Sequence, residues 1–321
     1  MSVETPILLL VFNRADTTKQ VLAALRTVRP KYLYVAADGP RAAKEGEKEK
    51  CEEVRALFNT IDWPCELKTN FRDTNLGCGH GPAEAISWFF KNVEQGIILE
   101  DDCVPHPTFF SYCAELLEKY KNNEKIMHIS GNNFLKKNYA GNDSYYFNKY
   151  LTAWGWATWR RAWQHYDYKV GFLDAFLQSQ KFKNLPLNHK QEQYWRNIAE
   201  LVRQGQRADI WDYQWLLTCW MQDGLAITPA VNLVTNIGFG ADATHTVNDS
   251  KAGYVKSEAI DKIIHPKQII RNKKVDMDTF NTYFEPSQHL NKLRVGMYKV
   301  LPKPIMLILK FVRRKFFPNL K

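Results

Sequence analysis

The chain has 321 residues, of which 45% are hydrophobic and 24% charged, with a formal net charge of +10. This composition excludes a disordered or fibrous chain and allows one large hydrophobic core or two smaller ones. The positive charge is concentrated after Glu285, where nine lysines and arginines and no acidic residue occur. A nucleic-acid-binding domain is therefore not expected, because its basic residues would be spread through the folded part.

The six cysteines form no Cys-x-x-Cys pair, so neither a zinc site nor a disulfide framework is expected. The apolar run at residues 7–12 is too short for a signal-peptide core. No stretch reaches the roughly 20 apolar residues that span a bilayer. We therefore expect a cytoplasmic protein.

Strand and helix patterns alternate along the first 135 residues. The strand patterns lie at residues 6–12, 32–37, 66–71, 97–99 and 126–130, and the helix patterns at 17–27, around 54–58, up to about 93, and at 109–120. Strands that alternate with helices predict an α/β fold, in which helices flank a mostly parallel sheet.

The pattern changes after about residue 145, where strands become scarce and tryptophans crowd together. Eight of the ten tryptophans lie between Trp154 and Trp220, and only short strands are indicated near 227–237. This predicts a Trp-rich helical subdomain. We expect four segments, with bounds at 1–145, 146–250, 251–285 and 286–321.

The apolar run at 97–99 ends in three acidic residues, Glu100, Asp101 and Asp102. Sheets of α/β proteins bind ligands beyond the carboxyl ends of their strands. Three neighbouring carboxylates repel one another unless a cation lies between them, and carboxylate oxygens suit Mg²⁺ or Mn²⁺. The acid triplet, as we call these three residues, predicts a metal site that could hold a diphosphate. The alternative is a strand end that enters a solvated acidic turn.

Residues after the other strands point to the same edge of the sheet. Arg14 could pair with a phosphate or be a surface arginine at a helix start. Asp38, before a glycine, could accept a hydrogen bond from a base or ribose, or be a turn aspartate. A glycine-rich loop is expected at 75–81, and it leads into a helix whose N–H groups could bind an anion. Its His80 could contact a nucleotide or cap the helix.

Together these residues resemble GT-A-type glycosyltransferases, most closely the N-acetylglucosaminyltransferase I-like group. The resemblance rests on the acid triplet followed by Pro105 and a Phe-Phe-Ser-Tyr helix start at 109–112. It also rests on an arginine before a threonine-containing helix at 14–18, on Asp38-Gly39, and on a histidine about twenty residues before the triplet. It covers about residues 5–245.

The resemblance implies a Rossmann-like GT-A fold with residues 1–145 binding a nucleotide sugar, UDP-linked in the favoured case, and 146–250 binding the acceptor. It implies that Asp102 binds Mn²⁺ or Mg²⁺ directly. Asp101 and Glu100 would contact ribose, the donor sugar or metal-bound water. Arg14, Asp38 and His80 would surround the nucleoside.

Asp212, between Trp211 and Tyr213, is the candidate general base of an inverting transferase. The flanking aromatic residues suit a site that stacks on sugars and excludes water. Family members carry a second acid where this chain has Tyr213. The alternative is that Asp212 caps a helix over 213–221.

Two further segments resemble the family. In residues 151–159, Trp154 and Gly155 match a Gly-Trp stretch near the donor sugar, with core aromatics as the alternative. In residues 236–246, His245 is a candidate third metal ligand or phosphate contact, with a structural loop histidine as the alternative.

The basic tail at 286–321 contains an amphipathic helical pattern at 304–317, which could bind an anionic membrane surface or pack on the body. The sequence thus predicts a metal-dependent, inverting glycosyltransferase at the cytoplasmic membrane face, acting on a glycan or lipid-linked glycan in surface polysaccharide or lipopolysaccharide assembly. The alternatives are a non-catalytic membrane-surface protein and a nucleotidyltransferase or metal-dependent phosphohydrolase. A nucleotidyltransferase or phosphohydrolase would need a basic residue that binds a triphosphate, or a second metal site, and the sequence contains no clear motif for either.

Overall fold

The structure, a computed structural model, describes residues 3–135, 137–206, 210–238 and 255–284. His245 and the basic tail lie outside the described residues, so their predicted roles stay predictions. The chain forms two compact units, residues 1–275 and 276–321. The sheets and the candidate site described below belong to the first unit.

The described ranges contain ten strands and ten α-helices, which alternate from β1 to β4. The strands are β1 (Ile7–Val11), β2 (Tyr32–Ala37), β3 (Glu66–Phe71), β4 (Gln95–Glu100), β5 (Cys103–Pro105), β6 (Ile126–Ser130), β7 (Tyr145–Asn148), β8 (Trp156–Trp159), β9 (Leu225–Pro229) and β10 (Val234–Asn236). The helices are α1 (Ala15–Val28), α2 (Glu47–Ala56), α3 (Gly77–Asn92), α4 (Pro107–Tyr120), α5 (Arg160–Trp163), α6 (Leu173–Gln178), α7 (Gln180–Lys183), α8 (His189–Arg203), α9 (Asp212–Met221) and α10 (Lys273–Thr279). Shorter helical turns follow α2 at Leu57–Thr60 and α10 at Phe280–Phe284.

Eight strands form one sheet in the order β3-β2-β1-β4-β8-β6-β9-β7. The first four are parallel, β8 is antiparallel to β4 and β6, β9 is parallel to β6, and β7 is antiparallel to β9. The prediction of an α/β, Rossmann-like fold with a mostly parallel sheet flanked by helices is confirmed. β5 and β10 form a separate antiparallel pair.

Strand β1 explains why an uninterrupted apolar run forms a central strand. Ile7, Leu9 and Val11 join one hydrophobic cluster, and Leu8 and Leu10 join a second. Successive side chains of a strand point to opposite faces, so a strand covered on both faces must be apolar throughout. Helices α1 and α4 contribute to the first cluster, and α3, α5 and α9 to the second.

The order of the strands creates a crevice beside β1. From β1 the chain passes to β2 on one side, and later crosses to β4 on the other. Ligands of open α/β sheets bind at such a switch point, outside the carboxyl ends of the strands. Here those ends lead into Arg14 after β1 and the acid triplet at the end of β4.

The strands from the second half of the chain do not form a separate sheet. β7, β8 and β9 pair within the same sheet as β1–β4, and helices α5–α9 lie between β8 and β9 along the chain. The predicted boundary between residues 145 and 146 stays a prediction. Within the described ranges, no helix combines the length and apolar character needed to cross a membrane.

Candidate active site

A cavity of about 610 Å³ lies at the carboxyl ends of the parallel strands. Seven of the predicted site residues line it: Arg14, Asp38, Glu100, Asp101, Asp102, Trp154 and Asp212. The fold therefore brings together side chains that are up to about two hundred positions apart in sequence. His80 and Gly155 do not line the cavity.

The acid triplet forms one wall of the cavity. Glu100 is the last residue of β4, and Asp101 and Asp102 form the turn that leads to β5. Both aspartates are buried, and Arg14 reaches them from the end of β1. Its Nη2 donates to Oδ2 of Asp102 at 2.8 Å and to Oδ1 of Asp101.

Burial and neighbouring negative charges raise the pKa of two members of the triplet, Glu100 and Asp101. Burial, with the charges of Asp102 and Asp101, raises the pKa of Glu100 to about 8. Burial also raises the pKa of Asp101 to about 6, although Arg14 opposes this shift. For Arg14, burial acts to lower the pKa, but the ion pairs with both aspartates outweigh it and the pKa lies above its ordinary value. Additional positive charge in the cavity would therefore stabilise the ionised acid triplet.

The β5–β10 pair holds Asp102 from the other side. Asn236 opposes Cys103 in register, and its Nδ2 lies 3.4 Å from Oδ1 of Asp102. The amide of Ile237 donates to the carbonyl of Asp102 at 2.8 Å, and the amide of Gly238 donates to Oδ1 of Asn236 at 2.7 Å. A Cβ at Gly238 would overlap Oδ2 of Asp102. We did not assign Asn236 a role from sequence, because its position depends on pairing between strands 130 residues apart.

Asp38 is engaged by the backbone. Its carboxylate accepts hydrogen bonds of 3.0 Å from the amides of Gly39, Leu76 and Gly77. Leu76 and Gly77 begin α3, so Asp38 caps that helix from a different strand end. The expected anion at this glycine-rich helix start is thus a side chain of the protein itself. This also explains why α3 starts inside the segment that we expected to be a loop.

Three more of the predicted site residues differ in their contacts and in their position relative to the cavity: His80, Gly155 and Trp154. His80 is exposed and stacks on Tyr168, with ring centroids 3.8 Å apart. Gly155 adopts a positive φ of 64°, and a Cβ there would press on Val234 at 2.8 Å. Trp154 lines the cavity and makes an edge contact with Phe134. Only the last of these three is placed to touch a ligand in the cavity.

Asp212 begins α9 and faces the same cavity as the acid triplet. Its charge is among those that raise the pKa of Glu100, so the two carboxyl groups are electrostatically coupled. A carboxylate in the first turn is favoured by the helix dipole. Its proposed role as a general base and its structural role at the helix start are therefore compatible.

Three arginines line the cavity, each after a different strand: Arg14 after β1, Arg41 after β2 and Arg72 after β3. Arg41 pairs with the buried Glu47, and Arg72 bonds to Glu84 and to the carbonyl of Gly81. From sequence, a role was assigned only to Arg14. The signal that could have assigned roles to the other two arginines is their common place just after parallel strands.

A divalent cation would find a partial donor set here. No group of three His, Cys, Asp or Glu side chains in the described ranges is arranged as a closed metal site. Mg²⁺ is commonly held by one or two carboxylates together with substrate phosphates and water. Asp101 and Asp102 fit that kind of open site, since their oxygens already bind the cationic group of Arg14.

No family model and no curated protein matches the chain. Among solved structures, it is similar to a cytidylyltransferase from Leptospira borgpetersenii, with 13% identity and a TM-score of 0.33 over 61% of this chain and 73% of that chain. It is similar to a 4-diphosphocytidyl-2C-methyl-D-erythritol synthase from Anaerococcus prevotii, with 8% identity and a TM-score of 0.31 over 60% and 84%. It is also similar to an inositol-1-phosphate CTP transferase from T. maritima, with 8% identity and a TM-score of 0.30 over 51% and 74%.

These matches correct the expected family. The matched structures carry the names of nucleotidyltransferases, whereas the sequence resemblance implied a glycosyltransferase of polysaccharide assembly; that assignment, with its nucleotide-sugar donor and glycan acceptor, is wrong on this finding. The triplet and the order of elements that carried the resemblance place acidic residues at the carboxyl edge of the sheet and do not by themselves fix which bond is broken. At identities of 8–13% and TM-scores of 0.30–0.33, the similarity to these structures concerns the fold alone.

Proposed function

We propose that the protein is a metal-dependent nucleotidyltransferase, which moves a nucleoside monophosphate from a nucleoside triphosphate to an acceptor and releases pyrophosphate. The observation that carries this proposal is the meeting of three arginines and the acid triplet in one cavity. Guanidinium groups pair with phosphates through charge-assisted, often bidentate hydrogen bonds. This arrangement supplies the basic residues that the sequence alone did not reveal.

In the proposed reaction an acceptor oxygen attacks the α-phosphorus of the triphosphate. The bond from this phosphorus to the oxygen bridging it to the β-phosphate breaks, and pyrophosphate leaves with the electron pair. Arg14, Arg41 and Arg72 would stabilise the negative charge that develops on the phosphate oxygens. Mg²⁺ or Mn²⁺, held by Asp102 and Asp101, would supply additional charge neutralisation.

Whether the reaction needs a general base depends on the chemical class of the acceptor. A phosphate acceptor attacks as an anion and has no proton to lose. A hydroxyl acceptor must transfer its proton, and Asp212 is the candidate base because it lines the same cavity. Trp154, also in the lining, offers a flat apolar surface for a nucleobase or an acceptor ring.

Cys78 provides a readout of binding before the acceptor is known. It lies in the first turn of α3, is exposed and lines the cavity, whereas the other five cysteines are buried or half-buried. We would measure maleimide labelling of Cys78 with ATP, CTP, GTP or UTP, with and without Mn²⁺. We would then add phosphate-bearing and hydroxyl acceptors and follow the products by ³¹P NMR.

We expect one triphosphate to slow Cys78 labelling only when Mn²⁺ is present, and pyrophosphate to appear with a suitable acceptor. Asp102→Asn should lose both effects, and Asp73→Asn, on an exposed loop residue, should retain them. The proposal is overturned if nucleotide sugars protect Cys78 and yield a nucleoside diphosphate, or if no triphosphate protects. Hydrolysis of the triphosphate with release of phosphate, in the absence of any acceptor, would instead identify a phosphohydrolase.

We further propose that the protein associates peripherally with anionic membranes. Two observations favour this: the basic, apolar sequence at 286–321, and the isoleucines of a strap at residues 255–272. Ile264, Ile269 and Ile270 are 46%, 38% and 63% exposed, and lysines 262 and 267 stand near them in sequence. The strap is firmly held, since Ile264 exchanges hydrogen bonds with Ser144 and the amide of Asn272 donates to Phe147. Exposed apolar and basic side chains together suit an anionic lipid surface.

Cosedimentation of the full chain with neutral and anionic vesicles tests membrane association. We expect binding only to anionic vesicles, with a marked loss in an Arg313→Glu, Arg314→Glu double variant. A Lys50→Glu, Lys91→Glu double variant, at exposed positions of α2 and α3, serves as the charge-matched control. Equal binding by the Arg313→Glu, Arg314→Glu variant would rule out the tail, and no binding to either vesicle would rule out association.

A further inference from the structure

Arg14 lies where a divalent ion would bind, between two carboxylates of the acid triplet. Its Nη2 donates to Oδ2 of Asp102 at 2.8 Å and to Oδ1 of Asp101, and its Nε lies 3.4 Å from Oδ2 of Asp101. The guanidinium therefore engages three of the four oxygens of these two aspartates. The oxygens best suited to a metal already bind a cation that belongs to the protein.

The ion pair can open towards the cavity without moving the backbone. The side chain of Arg14 is 25% exposed, whereas those of Asp101 and Asp102 are 5% and 11% exposed. The carbonyl of Arg14 is held by Thr18, whose backbone amide and Oγ1 donate to it at 3.1 and 2.7 Å. The guanidinium is consequently the movable member of the pair, and the two carboxylates are the fixed members.

The charges favour exchange of one cation for another. A divalent ion beside the guanidinium would face a like charge at close range in a partly buried site, where repulsion is strong. An ion that binds Asp101 and Asp102 must therefore displace Arg14. A displaced guanidinium then needs a new anion, because a partly buried charge without a partner is costly.

We propose that Arg14 is a displaceable internal cation, which neutralises Asp101 and Asp102 until a divalent metal takes those oxygens, and then pairs with a phosphate in the cavity. The phosphate partner rests on the proposed function; the displacement does not. Guanidinium suits both states, because its planar fork matches carboxylate and phosphate alike.

Such an exchange couples metal and phosphate binding. The metal releases Arg14 for the phosphate, and the phosphate removes the competitor of the metal. By linkage, each ligand must strengthen the binding of the other by the same factor. The site would accept neither ligand tightly alone, which would protect the empty cavity from stray metal ions and from free phosphate.

Mn²⁺ titration of the full chain, with free Mn²⁺ read by EPR, tests the exchange. The probes are Mn²⁺ alone and Mn²⁺ with inorganic phosphate, with a protein-free titration to correct for chelation. We would compare wild type with Arg14→Gln and Arg14→Lys. Arg26→Gln is the matched control, since Arg26 lies on α1, the helix that Arg14 precedes, and pairs with Asp62 at 3.0 Å on the exposed surface.

We expect phosphate to tighten Mn²⁺ binding to wild type by about tenfold, within the usual range of coupling between sites. Arg14→Gln should bind Mn²⁺ alone about tenfold more tightly than wild type does and should lose the phosphate response. Arg14→Lys, which keeps the charge, should retain the response and remains informative if the glutamine variant does not fold. Arg26→Gln should match wild type.

The proposal fails if Arg14→Gln binds Mn²⁺ no better than wild type, or if it keeps the phosphate response. If Arg14→Gln does not fold, loss of the response in Arg14→Lys would equally overturn it. Pyrophosphate release by wild type is a separate measurement. Release together with an unchanged Mn²⁺ affinity in Arg14→Gln would overturn the displacement and leave nucleotidyl transfer standing.

Discussion

Titratable side chains are buried in two parts of the same sheet, and they differ in how fully neighbouring groups pair with them. At the end of β4, Asp101 and Asp102 share the guanidinium group of Arg14. In β6, His128 is fully buried and has a partner at each ring nitrogen: Nε2 pairs with the carbonyl of Thr152 at 3.0 Å, and Nδ1 accepts from the indole of Trp215 at 3.2 Å. Its ring also stacks on Trp156.

The difference shows how a structural polar group can be told from one that awaits a ligand. Burial lowers the pKa of His128 to about 3, so the imidazole is neutral and each of its nitrogens has a hydrogen-bond partner. Burial raises the pKa of Glu100 and Asp101, because the protein supplies too little positive charge for them. A buried polar group whose hydrogen-bonding atoms all have partners indicates a structural role. A charged group in a cavity without enough opposite charge around it indicates a ligand-binding site.

The largest effect is expected at Asp102. Asp102→Asn removes one negative charge from the proposed metal site while preserving the shape of the side chain. We expect Mn²⁺ affinity and the transfer rate each to fall at least about a hundredfold, as for the loss of a key electrostatic group. EPR titration and ³¹P NMR would measure them, with Asp73→Asn as control. Unchanged Mn²⁺ affinity would remove Asp102 from the site.

Gly238→Ala should disturb the same carboxylate indirectly. A Cβ there overlaps Oδ2 of Asp102, so the carboxylate must turn away from Arg14 and from any metal. We expect a loss of Mn²⁺ affinity of about tenfold to a hundredfold, typical of residues that orient a ligand. Gly171→Ala is the matched control, because its Cβ would lie 3.3 Å from Oδ2 of Asp167 in an exposed turn. An Mn²⁺ affinity equal to that of the control would contradict the tight packing at Gly238.

His128 should make the protein less stable in acid. The unfolded chain protonates this imidazole near pH 6.5, whereas the folded protein resists protonation down to about pH 3. Between these values the unfolded state binds more protons, so the free energy of unfolding falls as the pH falls, by at most about 1.4 kcal/mol per pH unit.

Urea unfolding of wild type and His128→Gln at pH 7, 6 and 5 would measure this dependence. The glutamine variant should be less stable at pH 7 but lose less stability on acidification. Glu100 and Asp101 contribute with the opposite sign, since they gain protons on folding, and their effect cancels in the comparison between proteins. His165→Gln, on an exposed residue, should parallel wild type. Parallel curves for His128→Gln would show that His128 is protonated in the fold.

The smallest effect is expected at Asp38, where sequence and structure suggest different roles. Asp38→Ala removes the acceptor of three backbone amides at the start of α3 and should lower the free energy of unfolding by about 1 kcal/mol. Asp16→Ala, in the exposed first turn of α1, should cost only a few tenths. A loss of nucleotide affinity without a loss of stability would favour the original nucleoside-binding role.

Much of the fold could be predicted because its signals are local. β2, β3 and β6 have the bounds expected from sequence, since each is a short strand pattern followed by turn or polar residues. The start of α3 was misplaced because its cap comes from Asp38, nearly forty residues earlier. Three glycines and Pro82 would weaken an isolated helix, and only the tertiary contact shows why this one begins where it does.

The site was predictable where one segment carried the information and was missed where several segments meet. The acid triplet is visible as three letters in a row. The ion pair between Arg14 and the triplet, the contact from Asn236 to Asp102, and the shared cavity of Arg41 and Arg72 all depend on the strand order. From sequence, nucleotidyl transfer was only an alternative, because metal-bound phosphates are common to several transferases and acidic residues at a strand end do not specify the bond that breaks.

Strand β8 has a consequence for synthesis on the ribosome. It runs between β4 and β6, so one edge of β4 stays unpaired until the chain has been made as far as Trp159. During that interval the nascent chain presents the open edge of an apolar strand, which is the feature that promotes association between unfinished chains. The strand that carries the acid triplet is therefore completed late, and we expect chaperone capture to be strongest for chains stalled between β4 and β8.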